Sequence, residues 1–283
     1  MMRWLSSLLL SLAFWSGLSA GQTIPALAWD TNRTTLPASS AAPPTESAVP
    51  DLPTATALPR MAPELALQVY QGRSALQSED LAGYSAITVV RAQLPDTDQK
   101  GEIEVQRHFS APHTLQFTPV RYTGDGFVKS NIIARVLQSE VDHVQKDDRA
   151  LTAINNKNYK FSYKGTAHVD DRLVHVFHIK PRVKRPGLFK GRIFIDVYTG
   201  SLVRAEGQVV KSPSFFIKKL EFAQDYTDIG NFTFPSHMHS EAKARVVGRT
   251  IVDISHRDYQ ATALQQQQQS AHQDPMSSAI PTE

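Results

Sequence analysis

The 283-residue sequence has no cysteine. Disulfides, thiolate-ligated zinc, cysteine nucleophiles and acylation through an N-terminal cysteine are therefore excluded. After the first 20 residues it has no apolar run long enough to cross a bilayer as a helix, and no tryptophan follows Trp29. Signatures of catalysis are missing too: there is no G-x-S-x-G elbow, no H-E-x-x-H helix, no phosphate loop and no Rossmann glycine pattern. Asp96-x-Asp98 opens like a calcium loop, but Lys100 and Arg107 put cations at the fifth and twelfth positions, where oxygen ligands are needed. Asp170-Asp171 suits a turn between strands better than an acid–base pair. The formal charge of +3 is too small a bias to imply nucleic acid. Neither an enzyme nor a cofactor is expected.

What is present begins with an export signal. Arg3 is followed by an apolar stretch from Trp4 to Leu18, and Leu18-Ser19-Ala20 ends in small residues, which predicts a cleaved signal peptide over residues 1–20. An uncleaved anchor is the alternative. Residues 21–63 hold 8 of the 17 prolines among Ala, Thr and Ser. Such a segment buries too little apolar area to offset the entropy of ordering it, so a disordered linker is expected. Pro63 suits the first turn of a helix over Glu64 to Ser78. Residues 64–262 are expected to form one ligand-binding domain. Residues 263–283, with the run Gln265 to Gln269, read as a disordered tail.

Inside the domain the apolar period is mostly two. Strands are predicted at Tyr84–Leu94, Glu102–Phe109, Thr114–Tyr122, Tyr159–Gly165, Leu173–Lys180, Gly191–Val197, Leu202–Val209, Ser214–Phe222, Phe232–Ser240 and Arg245–His256. In the strand from Leu202, Val203, Ala205 and Val209 should share one face, opposite Arg204, Glu206 and Gln208. Tyr198-Thr199-Gly200-Ser201 and Asp228-Ile229-Gly230-Asn231 read as hairpin turns. The period changes once. Ile133, Val136, Leu137, Val141 and Val144 form a helical stripe with Ser130 placed to cap it. The fold class is mainly β with packed helices: a strongly curved antiparallel sheet, open or half-barrel, around those helices.

Several residue groups invite a function. Lys180, Arg182, Lys184, Arg185, Lys190 and Arg192 place six cations in 13 residues without an acid, with Leu188 and Phe189 between them. An exposed apolar pair flanked by cations suits an anionic membrane surface or a lipid headgroup; the plain alternative is a solvated loop with Phe189 tucked into the core. Phe215, Phe216 and Ile217 put bulk on both faces of one strand, as a cavity wall or a strand buried on both sides. His237 and His239 share a strand face while His175 and His178 do not, and with no fixed carboxylate partner in view a metal site is not expected.

The stretch K-P-R-V-K-R-P-G-L-F-K-G-R-I-F-I-D-V-Y-T-G-S-L-V-R-A-E-G-Q-V-V-K-S-P-S (Lys180–Ser214), with Phe215-Phe216-Ile217-Lys218-Lys219 and Pro235-Ser236-His237-Met238-His239-Ser240 behind it, resembles the LolA/LolB-type lipoprotein-carrier superfamily. The nearest branch is the exported bacterial outer-membrane lipoprotein-sorting proteins, over roughly residues 64–260. The tether and the Gln-rich tail are not features of the carrier. The resemblance implies a curved sheet enclosing a hydrophobic cavity for acyl chains, with Ile133, Leu137, Val141, Phe215, Phe216 and Ile217 as wall or lid. It implies a periplasmic, non-catalytic carrier whose partners are lipid or acylated protein. The alternative is an envelope sensor or assembly subunit that binds a protein partner; an exported hydrolase with an unrecognised site is the third reading.

Overall fold

Pro63 starts helix α1 (Pro63–Asp80) in its first turn, as its fixed φ and missing N–H favour. The computed structural model describes residues 59–264, apart from 147–148, 212–216 and 246, so the signal, nearly all of the linker and the Gln-rich run lie outside the described residues. Three strands follow, β1 (Leu81–Leu94), β2 (Gln99–Ser110) and β3 (Thr114–Gly124). A helical stretch comes next: α2 (Gly126–Val128), a π-helical turn over Lys129–Ile133, α3 (Ala134–Lys146) and the single turn α4 (Arg149–Thr152). Seven strands complete the chain: β4 (Tyr159–Val169), β5 (Arg172–Pro181), β6 (Phe189–Asp196), β7 (Leu202–Val209), β8 (Ile217–Ile229), β9 (Phe232–Ala244) and β10 (Gly248–Ala263).

The ten strands form one antiparallel sheet in the order β3-β2-β1-β10-β9-β8-β7-β6-β5-β4. It is two meanders, joined where the last strand pairs with the first over Leu81↔Ala263 to Gln93↔Ile251. β3 and β4 are left as edges, so the sheet does not close. Directly opposed residues share a face. One lateral row therefore runs across all ten strands: Tyr163, Phe177, Ile193, Ala205, Gln224, Met238, Ile254, Val90, Ile103 and Tyr122. This mostly apolar row defines the inner face. The adjacent row, from Ser162, His178, Arg192 and Glu206 to His239, Asp253, Arg91 and Glu102, is polar and defines the outer face.

Helices cover the inner face in two halves. α1 sets Ala66 and Tyr70 among Phe177, Ile179, Ile193 and Phe222 of β5, β6 and β8. Val128, Ile132, Ile133 and Val136 fill the other half against Val90, Val105, Val252 and Ile254. The amphipathic stripe read from the sequence is real, but the helix starts a turn earlier than Ser130. Asp125 holds the cap position, and its carboxylate accepts from Lys100 N instead of capping. Ser130 lies inside the π-helical turn.

Local irregularities decide which side chains face inward. A register shift between Phe194 and Ile195 inserts Val203 as an extra residue, so it turns outward to join Val174, Val176 and Phe194. The expectation that Val203 shares a face with Ala205 and Val209 is thereby corrected: a bulge flips the parity that an unbroken strand would keep. Where β6 and β7 cross, Gly191 opposes Gly207, and a Cβ on Gly191 would lie 1.9 Å from the Glu206 carbonyl oxygen. Only glycine allows that approach. The turn after β6 is closed by Asp196, which accepts from Tyr198 N at 2.8 Å, Thr199 N at 2.9 Å and Arg172 Nε at 2.9 Å. Burial pushes the Asp196 carboxyl up, but these donors outweigh it and hold its pKa below the usual value.

Candidate functional site

α1 and α3 lie on the same face of the sheet but over different strands, α1 towards β6 and β9, α3 towards β3. Between them runs a seam of aromatic and polar side chains: Tyr84 on β1, Tyr226 on β8, Met238 on β9, and His256 and Tyr259 on β10. The rings pack on one another, Tyr84 and Phe234 at 5.1 Å between centroids, Phe234 and Tyr259 stacked at 4.6 Å. All five seam residues are half-buried and keep some accessible surface. Yet burial is the largest cause of shift in Tyr226, His256 and Tyr259. These side chains are neither sealed in the core nor fully open to solvent.

Two hydroxyls in this region have no partner among the described residues. Neither Tyr70, on α1, nor Tyr226 makes a hydrogen bond to any described residue. Sealing an unpaired hydroxyl in a dry core would cost about 1–3 kcal/mol. They mark positions where a water or a ligand oxygen fits.

The seam is electrically neutral. Burial, then Tyr226 and Tyr159, push the Tyr70 hydroxyl far above its ordinary value, and Tyr226 and Tyr259 are raised mainly by burial, so all three stay protonated. Burial, reinforced by Arg107 and His237, lowers His256 to about 3 and keeps it uncharged. Its Nδ1 lies 2.9 Å from the Thr88 hydroxyl. Arg107 on β2, a charged group from the sheet, is compensated by Glu140 of α3, and its Nε donates to Tyr84 Oη at 2.9 Å. Burial would lower the Arg107 pKa, but Glu140 and the neighbouring tyrosines reverse the sign and hold it raised. This ion pair ties α3 to the sheet.

The residues singled out from the sequence fall into three groups. Ile133 is fully buried and Ile217 is 5% exposed, both in core packing. Leu137 and Val141 are partly buried beside the seam half under α3. Phe215 and Phe216 lie outside the described residues. Leu188 and Phe189 do not stand at an exposed tip: they are 0% and 2% exposed. Phe189 begins β6 facing inward, its ring 4.9 Å from Phe222 and 5.8 Å from Tyr159. The Leu188 carbonyl accepts from Val210 N, which ties this residue to the end of β7. Membrane contact through Leu188 and Phe189 is therefore withdrawn, because the inner face takes both side chains. The exposed apolar residue of this loop is Val183, at 53%.

The cations of the loop divide by type. Arg182 donates to the Asn156 carbonyl at 2.8 Å, Arg185 to Asn158 Oδ1 at 3.0 Å and Arg192 to Glu206 at 2.8 Å. Lys180, Lys184 and Lys190 are exposed and make no ion pair to a described residue. His175 is buried on the inner face and His178 exposed on the outer, the opposite parity expected of them. His175 Nε2 donates to the Met61 carbonyl at 2.9 Å and pins the start of the folded chain. His237 and His239 do share the outer face, and His239 has the carboxylate partner that the sequence did not reveal, Asp253 at 2.7 Å. No group of three metal-capable side chains is present among the described residues.

A recess of about 410 Å³ opens on the outer face. Gly83 there is flanked by Ser110 and Thr262, whose small side chains leave a depression rimmed by His108, Gln260 and Leu264. Its lining is polar, unlike the seam.

Sequence reasoning passed over the seam, although a signal was present. Arg107 interrupts the inward series Ile103, Val105, Phe109, and His256 follows Val252 and Ile254 at the same parity. A charged or titratable residue in phase with a buried apolar series marks a polar site inside the fold.

No family model and no curated protein matches the chain. Among solved structures it is similar to a LolA superfamily protein from Nitrosomonas europaea, at 10% identity and a TM-score of 0.36, covering 71% of this chain and 94% of that one. It is similar also to a DUF1329 family protein from Desulfovibrio piger, at 8% identity and 0.36, covering 70% and 92%. A third is the lipoprotein LppX of Mycobacterium tuberculosis, at 7% and 0.24, covering 70% and 96%. The first of these belongs to the superfamily that Lys180–Ser214 resembles. No helix among the described residues is long and apolar enough to cross a membrane.

Proposed function

We propose that this is an exported, periplasmic, non-catalytic binding protein that carries an acyl chain of a lipid or lipoprotein in the seam between α1 and α3. The observation that carries the reading is the seam's combination of aromatic walls, residual accessible surface and electrical neutrality. A charged substrate would have to shed its hydration there without finding an opposite charge, whereas an acyl chain gains about 0.8 kcal/mol for each methylene buried. Six buried methylenes would contribute about 5 kcal/mol, enough for retention without any specific polar contact. The unpaired Tyr70 and Tyr226 hydroxyls suit an ester or hydroxyl oxygen at one end of the chain.

The test is extraction of the purified protein with organic solvent and mass spectrometry of the extract, followed by titration of delipidated protein with a fluorescent fatty acid. Near-stoichiometric lipid and a saturable probe site, weakened by Met238→Trp, which adds bulk to the seam, are the expected results. An extract free of lipid, with no saturable uptake, overturns the reading; recovery of a protein partner in its place would favour the sensor alternative.

A further inference from the structure

The outer face carries a feature independent of what the seam holds. Lys160 on the edge strand β4 stands directly opposite Lys180 on β5. Continuing the β5–β6 register one residue past Ile179↔Gly191 sets Lys190 opposite Lys180 on the other side. Three lysines thus form a lateral row on adjacent strands, about 4.8 Å apart in backbone spacing. Like charges opposed across a sheet destabilise it. All three are exposed, and none pairs with a carboxylate among the described residues.

The molecule contains its own comparison. Lys219, Lys243 and Arg249 make the same kind of row across β8, β9 and β10. There the charge is answered one step along the strands: Glu221 binds Lys219 at 2.8 Å and Glu241 binds Arg249 at 2.8 Å. Beside the first row the nearest acid across the sheet, Glu206, is already taken by Arg192. The row continues through Gln208 before it meets Glu221. Next to it the loop of residues 182–188 adds Lys184, without an ion pair among the described residues, and the exposed Val183. An uncompensated, laterally aligned set of flexible cations beside one exposed aliphatic residue suits a flat surface of negative charge more than a single anion.

We propose that Lys160, Lys180 and Lys190, with Lys184 beside them, form a docking surface for an anionic lipid bilayer. The edge strand and the outer face lie against the headgroups, and the seam on the other side of the sheet stays free. Charge complementarity carries the assignment. Leu188 and Phe189 take no part.

The test is co-sedimentation of the full chain with phosphatidylcholine vesicles, with and without phosphatidylglycerol. Two variants lose the same three charges: Lys160→Gln/Lys180→Gln/Lys190→Gln, and Lys219→Gln/Lys243→Gln/Arg249→Gln. At low salt the protein should bind only the vesicles containing phosphatidylglycerol, and added salt should release it, since exposed charges are screened within about 10 Å at 0.1 M. The first variant should bind about 100-fold more weakly, the factor given by ~1 kcal/mol for each lysine. The second should lose only a few-fold. Circular dichroism and thermal unfolding establish that both are folded, and single Lys180→Gln serves if the triple is not. Equal losses in both variants would reduce the effect to net charge and overturn the assignment. Absence of binding to phosphatidylglycerol vesicles at low salt overturns it as well, as does capture of soluble polyphosphate in preference to vesicles, which would make the row a polyanion site.

Discussion

Breaking the buried pair between Arg107 and Glu140 should cost different amounts depending on which partner is removed. The two side chains are 4% and 11% exposed, so neither can recover hydration in place. After Glu140→Ala, Arg107 cannot shed its proton, and its remaining partners are the Tyr84 hydroxyl and the faces of Tyr84 and Phe117, 5.7 and 5.4 Å from the guanidinium carbon. An uncompensated buried charge of this kind costs about 3–5 kcal/mol. After Arg107→Ala, Glu140, the more exposed of the two and carried on a surface helix, can turn towards water, so the loss should be smaller. Replacing both by methionine removes two desolvation penalties together and should be close to neutral, or stabilising by about 1–4 kcal/mol. Urea unfolding with linear extrapolation measures all four corners of the cycle. Because the pair fastens α3 to the sheet, hydrogen exchange in Ala134–Lys146 should accelerate in Glu140→Ala before global unfolding does. A loss below about 1 kcal/mol for Glu140→Ala, the size of an exposed pair, would refute the reasoning, as would equal losses for the two single variants.

Two other outcomes follow from burial. Phe189→Ala should destabilise the domain by about 3–5 kcal/mol in denaturant unfolding, because it empties a site between Tyr159 and Phe222; a cost near zero would mean that the side chain is not in the core. His256 is lowered to about 3 in the folded protein, so between that value and its unfolded value of roughly 6.5 the unfolded chain holds a proton that the folded one does not. Its contribution is complete above the unfolded value and is lost as pH falls towards 3, at up to about 1.4 kcal/mol per pH unit. His256→Gln should flatten the slope of stability against pH by one proton in that window; an unchanged slope would mean that the imidazole titrates freely.

The strands were largely legible in the sequence because alternation is local. Each of the ten predicted strands overlaps an observed one, Leu202–Val209 at both ends, and the turns at Gly200 and Gly230 both have positive φ. Strand ends were read short where polar residues continue the ladder: β8 runs on to Ile229, β9 to Ala244 and β10 to Ala263. The loop around Leu188 and Phe189 was legible only as composition, and composition cannot say that Phe189 already belongs to β6. The seam was less legible still. Its members come from β1, β8, β9 and β10, with Tyr70 of α1 and the pair of β2 and α3 beside them, and no spacing along the chain links Tyr70 to Tyr226 or Arg107 to Glu140.

By itself, then, the sequence determined the periodic elements, the absence of thiol chemistry, the helix starting at Pro63 and the amphipathic stripe from Ile133 to Val144. Each depends on residues a few positions apart. Only the tertiary structure decided that β10 pairs with β1, that Val203 turns outward, that Glu140 answers Arg107 and that Lys160, Lys180 and Lys190 form one row. Cross-strand register sets Lys180 opposite Lys160 across 20 positions and Ala263 opposite Leu81 across 182, and a one-residue bulge reverses facing without leaving a mark in the hydrophobic pattern.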